Sequence, residues 1–336
     1  MGGQEGIIHR SPEAIEGAPE GVGFPFRNAS ALDGTLGVAH PNGGILLPMT
    51  ATEQAHFVLH HPKAPERKVQ VRVEGPQGYE GAGEALPHVL VLHGFKGFMH
   101  WGFFPELSRR IAQRGMVAVS LNTSGSGVGD DFETLSEERA FFQCTFSHDL
   151  EDLDLVRQDL LENGSCVDME RLAIWGHSRG GGMALLHAER CGDYKASVLW
   201  GPINRVRIFD EQTRLRWREE GEVQVPNGRT GQVHRIGLDL LDDIEQNAAE
   251  LDILSAASRT LTPTLIVHGS ADEAVPLKDA ESLHAALPQG SGELCVLPEA
   301  GHTFGTRHPF EGCSKDLEAA FEVSLAHLSR YLSPRD

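Results

Sequence analysis

Residues 174–181 read IWGHSRGG and place Ser178 in the spacing G-x-S-x-G. A serine in that spacing can be a nucleophile on a tight strand-to-helix turn. With 38 glycines in 336 residues, chance gives about 0.2–0.3 such matches per chain, so the string needs context. Context is present: the apolar run RLAIW precedes Ser178 and the helix former RGGGMALLHA follows it. Such a turn forces the serine backbone into strain, so Gly176 and Gly180 must lack side chains where backbone comes close. The helix N-terminus turns its unpaired N–H groups to the reaction centre, and the Arg179 N–H can donate to a developing oxyanion. The alternative is a glycine-rich turn that binds a phosphate or nothing.

A second oxyanion donor should follow an earlier strand. HVLVLHGFKGF supplies His93-Gly94 at the end of an apolar run, with the Phe95 N–H next. The hydroxyl also needs a general base, and the base needs an acid that holds its tautomer. Asp272 lies in HGSADEAVP after one apolar run, and His302 lies in PEAGHTFG after the last. Glu273 is the rival acid, Asp272 can instead cap the following helix, and His302 is one of 17 histidines. Post-strand loops share one sheet edge, so Ser178, Asp272 and His302 can converge.

The elements that must hold them are legible. Short apolar runs at 88–94, 116–122, 171–177, 196–202, 263–269 and 293–299 predict strands buried on both faces. Amphipathic stretches at 103–115, 146–164, 178–190, 277–287 and 314–332 predict helices between them. Two further strands are expected at 55–61 and 68–75. The pattern implies an α/β class, a mostly parallel doubly wound sheet of about eight strands. Residues 1–51 are expected to be an extended arm, and 52–202 with 261–336 the core. The polar stretch 203–260 predicts an inserted lid: a charged helix (205–221), a hairpin (222–236) with a type I′ turn at Asn227-Gly228, and a helix (239–251).

Composition narrows the function. A net charge of −19, with six lysines among 29 basic residues, argues against nucleic acid or an anionic membrane as partner. Five cysteines without C-x-x-C spacing, an N-terminus unlike a signal peptide and the lack of any long apolar run lead to the expectation of a cytoplasmic protein. His60-His61 and the other histidines form no metal motif, and NTSGSGVGDD (122–131) lacks the lysine of a phosphate loop. Neither metal nor cofactor is expected. Phe95 and, in FMHWGFF (98–104), Phe98 and Trp101 can line an acyl or aryl pocket, or the run can pack the first helix on the sheet. Arg205, Arg207, Arg214, Arg216 and Arg218 can meet a substrate carboxylate or form a solvated helix face.

HGFKG, GHSRGG, GSADEAVP and AGHTFG together resemble the α/β-hydrolase superfamily over residues 52–332. The likeness is to its bacterial esterase and dienelactone-hydrolase-like branch, which includes cinnamoyl and feruloyl esterases. The resemblance implies a Ser178–His302–Asp272 triad, an oxyanion hole from the Phe95 and Arg179 backbones, and a small-molecule ester as substrate. A serine, where dienelactone hydrolases proper carry cysteine, argues against a lactone. The alternatives are an aminopeptidase or amidase on the same scaffold, and a non-catalytic ligand-binding relative.

Overall fold

The computed structural model describes residues 8–10, 51–81, 84–164, 166–206, 209–227 and 231–333. Most of the expected N-terminal arm, Arg207 and Gly228 lie outside these residues. The chain opens with β1 (Ile8–Arg10), β2 (Thr52–His61) and β3 (Ala64–Pro76). Next come β4 (Leu86–Leu92), α1 (Phe104–Gln113), β5 (Val117–Asn122), α2 (Glu138–Phe142) and α3 (Phe146–Asn163). They are followed by β6 (Val167–His177), α4 (Arg179–Cys191) and β7 (Ala196–Trp200). A long excursion holds α5 (Glu211–Glu220), β8 (Glu222–Pro226), β9 (Val233–Gly237), α6 (Leu238–Gln246) and α7 (Ile253–Arg259). The chain then closes with β10 (Thr264–Gly269), α8 (Leu277–Ala286), β11 (Gly292–Leu297) and α9 (Lys315–Leu332).

The main sheet runs β1-β2-β3-β5-β4-β6-β7-β10-β11. Pairing is antiparallel only at β2–β3 and β3–β5. The ninth strand is β1, three residues of the expected arm paired in parallel with Phe57–Leu59. Strand order reverses around β4, which lies between β5 and β6. Ligands in open parallel sheets bind where that reversal opens a crevice beyond the carboxyl strand ends. The loops after β4 and β6 carry Phe95 and Ser178 to that place.

Alternation along the strands loads both faces. Leu90, Leu92, Val119, Leu121 and Ile174 join the core under α3, α4 and the excursion, whereas Val89, Val91, Ala118 and Trp175 join the core under α1 and α9. Burial on both faces explains why these strands read as unbroken apolar runs. On the α1/α9 face, Trp175 and Trp200 meet edge-to-face at 4.8 Å, and Trp200 Nε1 donates to Ser324 Oγ at 2.8 Å. This anchors the ends of β6 and β7 directly below the catalytic-type loops. Offset aromatic pairs of this kind add about 0.5–1.5 kcal/mol beyond their burial.

The hairpin of the excursion differs from the expected one. A two-residue turn at Asn227-Gly228 would pair Val225 with Thr230, but the register pairs Val225 with His234 and Val223 with Ile236. The ladder therefore ends at Pro226 and Val233, and Asn227 N–H donates to Gln232 O at 2.7 Å inside the longer loop. Ile236 is fully buried, and burial of one face sets register over local turn chemistry. Two helices, α6 and α7, follow the hairpin where a single helix was expected. Arg214 and Arg218 of α5 pair with Glu245 and Asp242 of α6, while Arg216 faces solvent. These arginines form a charged helix face.

Candidate active site

Ser178 stands between β6 and α4 with φ 57° and ψ −120°. A non-glycine residue adopts that conformation only when its surroundings enforce it, at a cost of about 1–3 kcal/mol. Ser178 N–H donates to Trp200 O at 2.8 Å, and Ser178 O accepts from Gly181, Gly182 and Ile203. The flanking glycines are sterically required. A Cβ on Gly176 would overlap the Gly180 carbonyl, and one on Gly180 would overlap the carbonyl of His93. Gly180 thus permits the close approach of α4 to the end of β4, and Gly176 the tight fold-back of α4 on β6.

Asp272 and His302 come together from the loops after β10 and β11. His302 Nδ1–H donates to Asp272 Oδ2 at 2.7 Å, and the other carboxylate oxygen accepts the N–H groups of Ala274 and Val275, each at 2.9 Å. The Asp272 side chain is buried, which alone would raise its pKa. The His302 hydrogen bond and charge, with the two backbone donors, outweigh burial and hold the carboxyl below its ordinary range. Glu273 is the residue beside it that makes none of these contacts. His302 is 21% exposed in its side chain. Among the described residues its ring makes this one hydrogen bond, so Nε2 is left for a proton from a hydroxyl. Ser178 Oγ does not yet reach it. Nucleophile–base hydrogen bonds are often open until substrate binds.

Two neighbours of this pair were not singled out from the sequence. His177 Nε2–H donates to the His302 carbonyl at 3.0 Å, and the two rings lie 4.6 Å apart. Burial and the adjacent His302 push the His177 imidazole down to about 3, so it is neutral. Gly201, at φ 48°, brings backbone against both His302 and Asp272; a Cβ there would lie 3.2 Å from His302 Nδ1. The only sequence signal for either is its place at the end of a strand.

The turn Gly94–Gly97 closes through Gly97 N–H to Gly94 O at 2.9 Å, with Lys96 at φ 58°. Gly94 packs on the serine, since a Cβ there would lie 2.9 Å from Ser178 Cβ. No backbone carbonyl among the described residues accepts the N–H of Phe95, and Arg179 N–H sits in the first turn of α4, where intrahelical partners are lacking. Neither N–H thus has a backbone acceptor among the described residues.

A small pocket opens at this point, lined by Gly94, Phe95, Lys96, Thr123, Ser126, Phe141, Cys144, Asp149 and Arg179. Arg179 is nearly buried; its Nε donates to Asp149 Oδ2 and its Nη2 to Thr145 O, both at 2.7 Å. The guanidinium also lies 4.1 Å over the Phe146 ring. Burial pushes Asp149 up to about 6 against the pull of Arg179. Of the three aromatics expected to meet substrate, Phe95 alone lines the pocket. Phe98 and Trp101 are packed in the α1/α9 core against His308, and Trp101 against Phe103. Both pack the first helix on the sheet, and neither lines the pocket.

As for metals, His61 is held by Asp152 and His60 by the Pro65 carbonyl. Asp154, His187 and Cys191 cluster between α3 and α4, remote in sequence from the loops above. There both ring nitrogens of His187 are already engaged, by Asp154 and by the Tyr194 hydroxyl. All five cysteines are free thiols. No helix among the described residues is long and apolar enough to cross a membrane.

The parallel sheet, the strained serine turn and the aspartate–histidine pair define the α/β-hydrolase fold. Residues 101–315, more than half of the chain, match the prolyl oligopeptidase family, and the chain belongs to that family of α/β-fold serine hydrolases. It is 25% identical over 227 residues to the uncharacterised peptidase YuxL of Bacillus subtilis (strain 168), covering 66% of this chain and 32% of that one. It is 24% identical over 226 residues to the 2,6-dihydropseudooxynicotine hydrolase of Paenarthrobacter nicotinovorans, covering 66% and 54%. The chain thus spans about a third and about half of the length of these relatives. Among solved structures, a Mycobacterium tuberculosis puromycin-hydrolysing peptidase aligns with TM-score 0.59 and 20% identity over 85% of this chain and 40% of that one. Est1E of Butyrivibrio proteoclasticus, solved with ferulic acid, aligns with TM-score 0.57 and 19% identity over 78% and 96%. These likenesses show the fold.

Proposed function

We propose that the chain hydrolyses carboxylic esters of small to medium acyl or aryl groups through an acyl-enzyme formed on Ser178. The observation that carries this reading is the Asp272–His302 hydrogen bond with the imidazole Nε2 unengaged beside a serine held at φ 57°. His302 takes the Ser178 proton as the hydroxyl attacks the ester carbonyl, and Asp272 stabilises the imidazolium. The Phe95 and Arg179 N–H groups hold the oxyanion. The alkoxide leaves with the proton from His302, and a water activated by the same imidazole releases the acid. The excursion 203–260 acts as a cover, since Lys96 Nζ of the oxyanion turn donates to Pro226 O of its hairpin at 2.9 Å.

The second reading is a peptidase, favoured by the family and by the peptidase relatives. An aminopeptidase needs a pocket carboxylate for the substrate amine. Among the described residues Asp149 is the one carboxylate lining the pocket, and it is spent on Arg179. This supports ester over aminoacyl amide.

The test is a fluorophosphonate probe on the purified protein beside Ser178→Ala, followed by ester and aminoacyl-amide panels. Labelling lost in the variant, with turnover of esters, is expected. Turnover confined to aminoacyl amides would establish the second reading, and undiminished labelling of Ser178→Ala would remove the serine assignment.

A further inference from the structure

We propose that the pocket beside Arg179 recognises a carboxylate on the substrate, a few bonds from the scissile carbonyl. This deepens the serine hydrolase reading and rests on it.

Three observations carry the inference. First, the pocket wall contains a charge built into the protein. Arg179 is more than nine-tenths buried, and its Nε and Nη2 are committed to Asp149 and Thr145 O. The Cys144 thiol also hydrogen-bonds the guanidinium, and Nη1 has no carboxylate or carbonyl acceptor among the described residues. A structural arginine needs no outlet into a pocket, yet this one lines it. Second, the lining is cationic in a chain whose net charge is −19. Lys96 joins Arg179 in the wall, Asp149 is the one carboxylate opposing them among the described residues, and His93 is neutral because burial pushes it down to about 4. Low-dielectric walls focus such a field on whatever anion enters. Third, the same pocket contains Gly94 and Phe95, and Arg179 is the residue after Ser178. A group bound there lies next to the two N–H groups that would hold the oxyanion.

The chemistry that fits is an ester whose acyl part ends in a carboxylate two or three carbons from the carbonyl, such as a half-ester of a short dicarboxylic acid. A carboxylate accepts charge-assisted bonds from guanidinium and ammonium, which are about twice as strong as neutral ones. A neutral analogue forgoes those charge-assisted bonds, and sites built for a polar group reject such analogues strongly.

The pair to compare is benzyl hydrogen succinate and its neutral isostere benzyl levulinate, read as benzyl alcohol release, with fluorophosphonate labelling of Ser178 run in parallel. The wild-type ratio of kcat/KM, acidic over neutral, should be about tenfold or more. It should fall towards one in Arg179→Met, and rise in Asp149→Asn, which removes the competing anion from the guanidinium. Should Arg179→Met fail to fold, because Asp149 is left buried and unpaired, Asp149→Asn and the double variant Asp149→Asn/Arg179→Met decide. A ratio near one in the wild type with Ser178 labelled overturns the carboxylate site and leaves the hydrolase reading standing. So does a ratio that is unmoved by Asp149→Asn. Absence of labelling, with circular dichroism showing a folded protein, removes the hydrolase reading and this inference with it.

Discussion

Asp243 on α6 caps the first turn of α3: its Oδ2 accepts the N–H groups of Phe146 and Ser147 at 2.9 and 3.0 Å, and its Oδ1 accepts the Ser147 hydroxyl. The excursion after β7 is therefore bolted to the core at the helix end whose Thr145 carbonyl holds the Arg179 guanidinium. A lid swinging as one body would have to break this cap. Asp243→Ala should cost about 2 kcal/mol, the upper range for losing an N-terminal cap, and lower turnover several-fold through Arg179. Urea unfolding alongside ester turnover checks both. Unchanged turnover in a destabilised variant would show that the cap serves folding alone.

Acid sensitivity follows from the buried histidines. Burial pushes His88 and His93 down to about 4, although each is hydrogen-bonded to a backbone carbonyl. In the unfolded chain a histidine titrates near 6.5. Between those values the unfolded state binds protons that the native state refuses, so the stabilising contribution is complete above pH 6.5 and is lost as pH falls towards 4. The loss is about 3 kcal/mol per histidine. His88→Asn, whose amide can still donate to Leu86 O, should flatten this acid limb by about that amount. Denaturant midpoints measured from pH 7.5 to 4 provide the comparison.

What could be read in advance divides by the range of the interactions involved. The strands of the parallel sheet were legible because burial on both faces leaves continuous apolar runs. Ser178, Asp272 and His302 could be grouped because post-strand loops share one edge, and the structure brings the latter two into contact. Phe98 and Trp101 were misplaced because an aromatic that packs a helix and one that lines a pocket share the same composition. The hairpin register was set by Ile236, buried against residues distant in sequence, and not by the turn signal at Asn227. His177 went unnoticed for the same reason: its partner lies 125 positions away.

Glycines at the site divide into those with steric work and those without. A Cβ on Gly180 would overlap His93 O and lie 2.6 Å from Leu92 O, both backbone atoms that move only with β4. Gly301, next to His302, has open space where a Cβ would go. Gly180→Ala should reduce fluorophosphonate labelling at least about a hundredfold, because the two proposed oxyanion donors separate when α4 shifts. Gly301→Ala should label within about twofold of the wild type and be no less stable, since alanine restricts the unfolded chain. Equal labelling of both variants would show that α4 can retreat without cost to the serine.

His177 holds the backbone of His302, the proposed general base, and its variants can separate that role from simple packing. Its Nε2–H donates to His302 O, and Phe103 packs edge-to-face on its ring at 5.5 Å. Removing the donor leaves the His302 carbonyl short of a partner in a part-buried setting, at about 1 kcal/mol or more, and frees the imidazole to turn away from Ser178. His177→Gln places an amide N–H near the position of Nε2, whereas His177→Phe fills the space and donates nothing. The phenylalanine variant should lose about tenfold or more in kcat with little change in KM, because His302 acts in the transition state and not in substrate binding. The glutamine variant should recover much of that loss. If both variants fall equally, or if KM rises with kcat unchanged, His177 acts by packing alone and the orientation of His302 is set by Asp272.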